Sequence, residues 1–349
     1  MEKKYFGKLR SGDDVFSYTL KNGNGMKASF IDLGATLTSL IVPDREGNPI
    51  DVILGYDTPD EYIDNGFFFS AVVGRSGNRI DKAKFTINGQ EYQMAVNDNE
   101  NNLHSGLSFF HHRKWAMTAS DEEKNSIRFE LLSPDGDQGF PGNFRISVTY
   151  TLTEDNELEL HYEGISDADT AANMTNHAYF NLDGHDEGMI TDQFMMLNAP
   201  CYTPVRDSQA IPTGEIAPVA GTPMDFTEEH RIGERIDADF EQIRFAGGYD
   251  HNFVICTNKG EKKLMAQTRS EKTGILMQSY TDLPGVQFYA GNFITEHAGK
   301  GGCTYGYRCG FCLESQYYPN AINQEGFASP ILKAGKKYDT TTSYRFSVR

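Results

Sequence analysis

Phe144-Arg145-Ile146-Ser147-Val148-Thr149-Tyr150-Thr151-Leu152 decides the fold. Its apolar members alternate with Arg145, Ser147, Thr149 and Thr151. A period of two belongs to a strand with one buried and one wet face. The neighbours repeat the pattern. Ile127, Phe129 and Leu131 alternate with Arg128 and Glu130. Leu158, Leu160 and Tyr162 alternate with Glu157, Glu159, His161 and Glu163. Residues 133–143, rich in Pro, Gly and Asp, form a long turn between the first two. Half-wet strands joined by turns make an antiparallel sheet.

Outward from this stretch the signals stay short. Lys21-Asn22-Gly23-Asn24-Gly25 is turn chemistry. Phe85 to Tyr92 reads as a hairpin through Asn88-Gly89. Thr58-Pro59-Asp60-Glu61 starts a helix with a Thr cap, Pro first and Glu third, and Asn65-Gly66 ends it early. Residues 227–243 hold a short helix or two. Residues 275–279, 286–293 and 308–316 read as strands. The 34 glycines exceed the roughly 24 that average usage gives, so tight turns are many. No linker, repeat or low-complexity tract interrupts the chain. The reading is all-β: residues 1–349 as a single domain, a large antiparallel β-sandwich with a few short helices.

Composition narrows the function. The net charge is -17, from 49 acidic and 32 basic residues. That disfavours nucleic acid, an anionic membrane surface and polyanionic substrates. It permits neutral small molecules. No stretch approaches the ~18 apolar residues of a membrane span, and the N-terminus leads into no signal-like apolar run. Five cysteines in 349 residues fit a reducing compartment and free thiols, so the expected location is cytoplasmic.

Four features carry little. Cys309-Gly310-Phe311-Cys312 has redox spacing but sits in a strand pattern, where the two thiols face opposite sides. His111-His112 lacks metal-ligand spacing. Gly299-Lys300-Gly301-Gly302 lacks the phosphate-loop pattern. Asn173-Met174-Thr175 matches a glycosylation sequon but lies in a candidate site strand.

That strand is Asn173-Met174-Thr175-Asn176-His177-Ala178-Tyr179-Phe180-Asn181-Leu182. Alternation puts Asn173, Thr175, His177, Tyr179 and Asn181 on one face. The face is polar but carries no carboxylate, lysine or arginine. With an imidazole at its centre it reads as the floor of a pocket for a neutral, hydroxyl-rich ligand. The plainer alternative is a strand edge with a hydrogen-bonded histidine. In 308–316, alternation groups Arg308, Gly310, Cys312, Glu314 and Gln316. A carboxylate in such a strand is costly to bury unless paired or functional. Asp250 and Gln287 sit in similar surroundings. With His104 and Arg79 these residues supply an acid, a base, a cation and an amide.

Seven short motifs resemble those of the aldose 1-epimerases, also called galactose mutarotases. They are Gly74-Arg75-Ser76-Gly77-Asn78-Arg79-Ile80, Asn102-Leu103-His104-Ser105-Gly106, Ser133-Pro134-Asp135-Gly136, Thr175-Asn176-His177-Ala178-Tyr179-Phe180-Asn181-Leu182, Gly248-Tyr249-Asp250-His251, Gly285-Val286-Gln287-Phe288-Tyr289-Ala290-Gly291-Asn292-Phe293 and Leu313-Glu314-Ser315-Gln316. They occur in the family's order across roughly residues 20–345. Ser76-Gly77, Ser315 and Tyr317-Tyr318-Pro319-Asn320 depart from its usual pattern, which bears on sugar preference.

The resemblance implies a large β-sandwich, a free aldohexose as substrate, Glu314 as general base and His177 as general acid. It implies that Asn78, Arg79, His104, Asp250 and Gln287 hold the sugar hydroxyls. The chemistry is ring opening and closure. A base takes the anomeric proton while an acid protonates the ring oxygen, and the roles reverse after rotation about C1–C2. No metal or other cofactor is required, and a monomer or homodimer is expected. From residue type, Glu314 ionised and His177 protonated in the same sugar complex is a natural state near neutral pH. The acidic limb of a rate profile would then belong to Glu314 and the alkaline limb to His177. Three rivals use the same residues: a glycoside hydrolase or lyase with Asp250 and Glu314 as its carboxylate pair, a non-catalytic sugar binder, and a sugar-phosphate epimerase. The last wants more cations than Arg75, Arg79 and Arg308.

Overall fold

The structure is a computed structural model, and it describes residues 1–255 and 260–349. Cys256, one of the five expected free thiols, lies outside the described residues. The expected strands form, and the architecture is nearly all β. A nine-stranded antiparallel sheet runs Ala116–Asp121, Ser126–Ser133, Phe144–Leu152, Glu157–Ser166, Lys337–Val348, Ile275–Thr281, Lys263–Arg269, Phe194–Leu197, His230–Arg231. A six-stranded sheet runs Tyr179–Phe180, Phe311–Gln316, Gly285–Tyr289, Asp250–Val254, Cys201–Tyr202, Ala217–Pro218. A five-stranded sheet takes up Glu2–Lys8 through Pro49–Asp51 in chain order. The Asn88-Gly89 hairpin joins Lys84–Ile87 to Gln90–Gln93, with both turn residues at positive φ, as a type I′ turn requires. Among the described residues the α-helices are Pro59–Asp64 and Glu241–Ala246. The first is the Thr58-Pro59 helix, whose Glu61 carboxylate accepts the Thr58 N–H at 2.9 Å. No helix among the described residues is long and apolar enough to cross a membrane.

One apolar core joins the sheets. Phe144, Ile146, Val148, Tyr150 and Leu152 point into it from the nine-stranded sheet, as their spacing requires. Val286, Phe288, Phe311 and Leu313 enter it from the six-stranded sheet. The period of two then fixes what those strands show on their other face. Gln287, Tyr289, Cys312, Glu314 and Gln316 must point away from this core. The hydrophobic pattern of two strands thus sets the location of the polar cluster.

Three strand expectations change. The 286–293 strand ends at Tyr289, and the chain turns at Gly291, whose φ is 71°. The 173–182 stretch is not one strand. Thr175–Asn176 pairs with Val72–Val73, while Tyr179–Phe180 pairs with Phe311–Gln316, and the chain breaks at His177-Ala178 as it passes between sheets. Both faces are buried. The asparagines therefore serve backbone rather than a ligand. Asn181 Nδ2 donates to the Gly188 and Cys309 carbonyls, Asn176 Nδ2 to that of Ser70, and Asn173 Nδ2 to that of Tyr317. Only His177 and Tyr179 reach a cleft. The 308–316 strand begins at Phe311, not Arg308. Arg308 has φ 56° and turns away to pair with Asp237 and the Gly247 carbonyl.

The four described cysteines, Cys201, Cys303, Cys309 and Cys312, are free thiols. Lys300, in the glycine-rich 299–302 segment, is a clamp. Its ammonium donates to the Thr38 and Ile53 carbonyls and to Asp51 at 2.7–2.9 Å.

Candidate active site

A cleft of about 400 Å³ opens over the outer face of the six-stranded sheet. That volume suits a small ligand. Asn78, Arg79, His104, His177, Asp250 and Glu314 all line it. A larger hollow of about 620 Å³ lies elsewhere, among Asn24, Asp155, Gln278 and Arg345. It contains no histidine, and Asp155 and Arg345 are exposed, as surface charges usually are.

Strand register assembles the floor. Glu314 pairs with Gln287, which pairs with Asn252. Cys312 pairs with Tyr289, which pairs with Asp250. Gln287 is the one expected ligand-holding residue that does not line the cleft. Its amide donates to Asp250 Oδ1 at 2.7 Å, and its carbonyl accepts from Gln316 Nε2 at 3.3 Å. Gln316 Nε2 also donates to Asn252 Oδ1. This row of amides fixes which end of Gln287 faces Asp250.

Two loops complete the wall. Arg79–Ile80 pairs with Asn102–Leu103, bringing Asn78 beside His104. The His104 N–H donates to the Asn78 carbonyl at 3.0 Å, and the Asn78 N–H donates to His104 Nδ1 at 3.1 Å. His104 therefore carries its ring proton on Nε2. Burial holds its pKa well below the usual histidine value, so it is a neutral donor. Asn78 Oδ1 accepts the Arg79 N–H, which leaves Nδ2 as the amide end for a ligand. Arg79 spends its Nε on Asp98 at 2.7 Å. Among the described residues it is the one Arg or Lys lining the cleft.

His177 Nε2 lies 3.6 Å from Glu314 Oε1. That is too long for a hydrogen bond and leaves room for an oxygen of a ligand. Glu314 is 2 % exposed, and its Oε2 has no hydrogen-bond partner. An unpartnered buried carboxylate oxygen is expensive. The fold tolerates it where a substrate supplies the missing partner. Burial, and then the charge of Asp250, raises the Glu314 pKa well above the usual carboxylate value. Burial lowers that of His177 to about 4. Asp250 is also raised by burial, against the pull of Arg79 and of the Gln287 hydrogen bond. The resting pair thus keeps its proton on Glu314, the reverse of what the residue types suggest.

His104, His177 and Glu314 place possible metal-ligand atoms within 4.8 Å of one another. The Asn78 N–H on His104 Nδ1 opposes that use. A metal on Nε2 would need the proton moved to Nδ1, where it would meet the Asn78 donor.

Sequence reading missed several wall residues. Phe68 sits at φ 59° in an apolar run that carried no polar signal. Asp98 and Ser208 come from loops without a pattern. Tyr179, Tyr289 and Phe293 stood in the quoted motifs but had no role assigned. Arg75, three residues before Asn78, lies far from any ligand role: it is 0 % exposed and fully bonded inside the protein.

Comparison with known proteins gives the family. Residues 17–345 match the family model for aldose 1-epimerase. The galactose mutarotase of Sus scrofa is 39% identical over 347 residues, which is 99% of this chain and 98% of its own. The aldose 1-epimerase of Escherichia coli (strain K12) is 36% identical over 330 residues, 94% of each. The crystal structure of an aldose epimerase homologue from C. elegans superposes with a TM-score of 0.84 at 30% identity, covering 95% of this chain and 99% of that one. With a matching model over nearly its whole length and full-length relatives well above 30% identity, this chain belongs to the aldose 1-epimerase family.

Proposed function

We propose that this protein interconverts the α and β anomers of free aldohexoses such as glucose and galactose, with Glu314 as general base and His177 as general acid. The observation that carries the reading is the buried, unpartnered Glu314 carboxyl 3.6 Å from His177 Nε2 at the floor of the cleft. Binding of the sugar moves the shared proton. Glu314 gives its proton to His177 as the anomeric hydroxyl settles against the carboxylate. Glu314 then takes the anomeric proton while His177 Nε2 delivers one to the ring oxygen. The ring opens, C1–C2 rotates, and closure reverses both transfers. His104 Nε2–H, Asn78 Nδ2, Asp250 and the Nη groups of Arg79 hold the hydroxyls. Gln287 acts through Asp250.

A single guanidinium, already engaged by Asp98, supports a neutral sugar over a sugar phosphate. We take residues 1–349 as one domain, since one core holds residues of all three large sheets. The free thiols of the four described cysteines support a reducing, cytoplasmic setting.

Polarimetry of freshly dissolved α-D-glucose and α-D-galactose should show mutarotation well above the spontaneous rate. Release of new reducing ends from an oligosaccharide, or saturable sugar binding without acceleration, would favour the hydrolase or the binding-protein reading. Asp250→Asn should raise KM about tenfold, because hydrogen bonds to charged groups contribute about 1.5–3 kcal/mol. An unchanged KM and kcat for that variant would remove Asp250 from the sugar's partners.

A further inference from the structure

His177 is held along more than its working edge. The rings of Tyr179 and Phe68 lie nearly parallel to it, at centroid distances of 5.0 and 5.7 Å. Its Nε2 faces Glu314 and the cleft. Its Nδ1 lies 3.4 Å from Cys312 Sγ. Cys312 is 0 % exposed and pairs across the strands with Tyr179. Burial and the nearby Glu314 and Asp250 carboxyls raise the Cys312 pKa well above the usual thiol value. It remains S–H. Nothing in the anomerisation steps above uses this buried thiol.

A protonated imidazole has an N–H on each nitrogen. The one on Nε2 goes to the sugar. The one on Nδ1 needs an acceptor at a position closed to water. The His177 backbone gives some support to the charged ring, and the thiol sulfur meets the ring from the neighbouring strand. Sulfur is a weak acceptor. A carboxylate there would stabilise the imidazolium strongly and make it a poorer acid. Sulfur orients the ring while adding little basicity.

We propose that Cys312 is a positioning residue whose sulfur accepts the His177 Nδ1–H, so that Nε2 is kept as the nitrogen that exchanges protons with the sugar. This rests on the reading of His177 as the proton donor. The titratable groups facing the ring are Glu314, Cys312, Tyr179, Tyr289, His104 and His111. Arg79 and Asp250 act on it through Glu314. Substituting Cys312 leaves all the others in place.

Two variants and one spectrum test the role. Cys312→Ala removes the acceptor. Its kcat should fall about tenfold or more through loss of orientation, with KM within about twofold. Cys312→Ser keeps an acceptor, and a better one. It should recover most of kcat and move the acidic limb of the rate profile to higher pH, because the charged ring gains a partner. In resting wild-type protein, long-range ¹⁵N–¹H NMR should find the His177 ring proton on Nδ1, with Nε2 bare. A ring proton on Nε2 would make the thiol a donor and overturn the proposal. So would a folded Cys312→Ala protein with unchanged kcat and unchanged limbs. If Cys312→Ala does not fold, the serine variant and the wild-type spectrum still decide. Absence of mutarotation in the wild type would instead defeat the proposed function, while the tautomer measurement would still judge Cys312.

Discussion

Glu314→Gln is expected to lose roughly 10²–10⁴-fold of the anomerisation rate, a rise of about 3–5 kcal/mol in the barrier. Gln keeps the shape of the side chain but accepts no proton. His177→Asn should lose a comparable factor, since Asn has no titrating nitrogen. Each transfer depends on the other, because a base without its acid would leave an alkoxide on the ring oxygen. The double variant should then be little worse than the worse single one. Wild type should give a bell-shaped profile whose limbs belong to the pair. Between about pH 4, where His177 gains a second proton for the pair, and the raised Glu314 pKa, the pair holds one proton. The working arrangement, Glu314 ionised and His177 charged, holds the same number, so the rate is flat there. Below that window His177 titrates and the rate falls. Above it Glu314 titrates and the rate falls. Stability supplies the control. A carboxyl whose folded pKa is raised binds more protons folded than unfolded, so it makes the fold lose stability as pH rises through the folded value. Glu314→Gln lacks this loss and should unfold no more easily than wild type at alkaline pH. Loss of rate with retained stability identifies chemistry. A variant keeping more than about a tenth of the wild-type rate, against that expected loss, would end the assignment of Glu314 as base.

The legible part of the molecule is the part governed by period two. Phe144, Ile146 and Val148 announce their sheet because burial of one face is a local, repeating requirement. The same rule placed Cys312, Glu314 and Gln316 on one side of their strand. It failed at 173–182 because that chain crosses between two sheets, and alternation has no term for a change of partner. It failed at Arg308, where φ 56° ends the strand pattern. Asp98 and Ser208 carried no signal, since loop residues are positioned by what they touch rather than by spacing. The resting protonation of Glu314 and His177 was not legible for a related reason. Residue type gives the pKa in water, and the shift comes from burial, which depends on chain segments more than a hundred residues apart.

The two arginines of Gly74-Arg75-Ser76-Gly77-Asn78-Arg79-Ile80 separate fold from function, and Arg75→Met is expected to be the most damaging substitution for stability. The Arg75 guanidinium is buried, and every N–H has an acceptor. Nε donates to Ser133 Oγ, Nη1 to the Pro141 carbonyl and Thr170 Oγ1, and Nη2 to the Ser133 and Pro134 carbonyls, all at 2.8–3.2 Å. Burial lowers its pKa to about 10 against the opposing charge of Asp137, so it remains charged at neutral pH. Methionine fills much of the volume but offers no donor. Three carbonyls and two hydroxyls would lose a donor in the interior, Ser133 Oγ and the Pro134 carbonyl keeping their bonds to Asp137, and Asp137 would lose a neighbouring cation. Removing one member of such a buried charged network costs about 3–5 kcal/mol, and each orphaned acceptor adds to it. The urea midpoint of Arg75→Met should therefore fall sharply, with any folded fraction retaining a near-normal KM. Arg79→Met should do the opposite. Arg79 stands at the cleft with one ion pair, to Asp98, and its Nη groups point to no protein acceptor among the described residues. Its variant should unfold near the wild-type midpoint and show a raised KM. The paired experiment fails if Arg75→Met unfolds within about 1 kcal/mol of wild type, which is the ordinary cost of a point substitution, or if Arg79→Met is the less stable of the two.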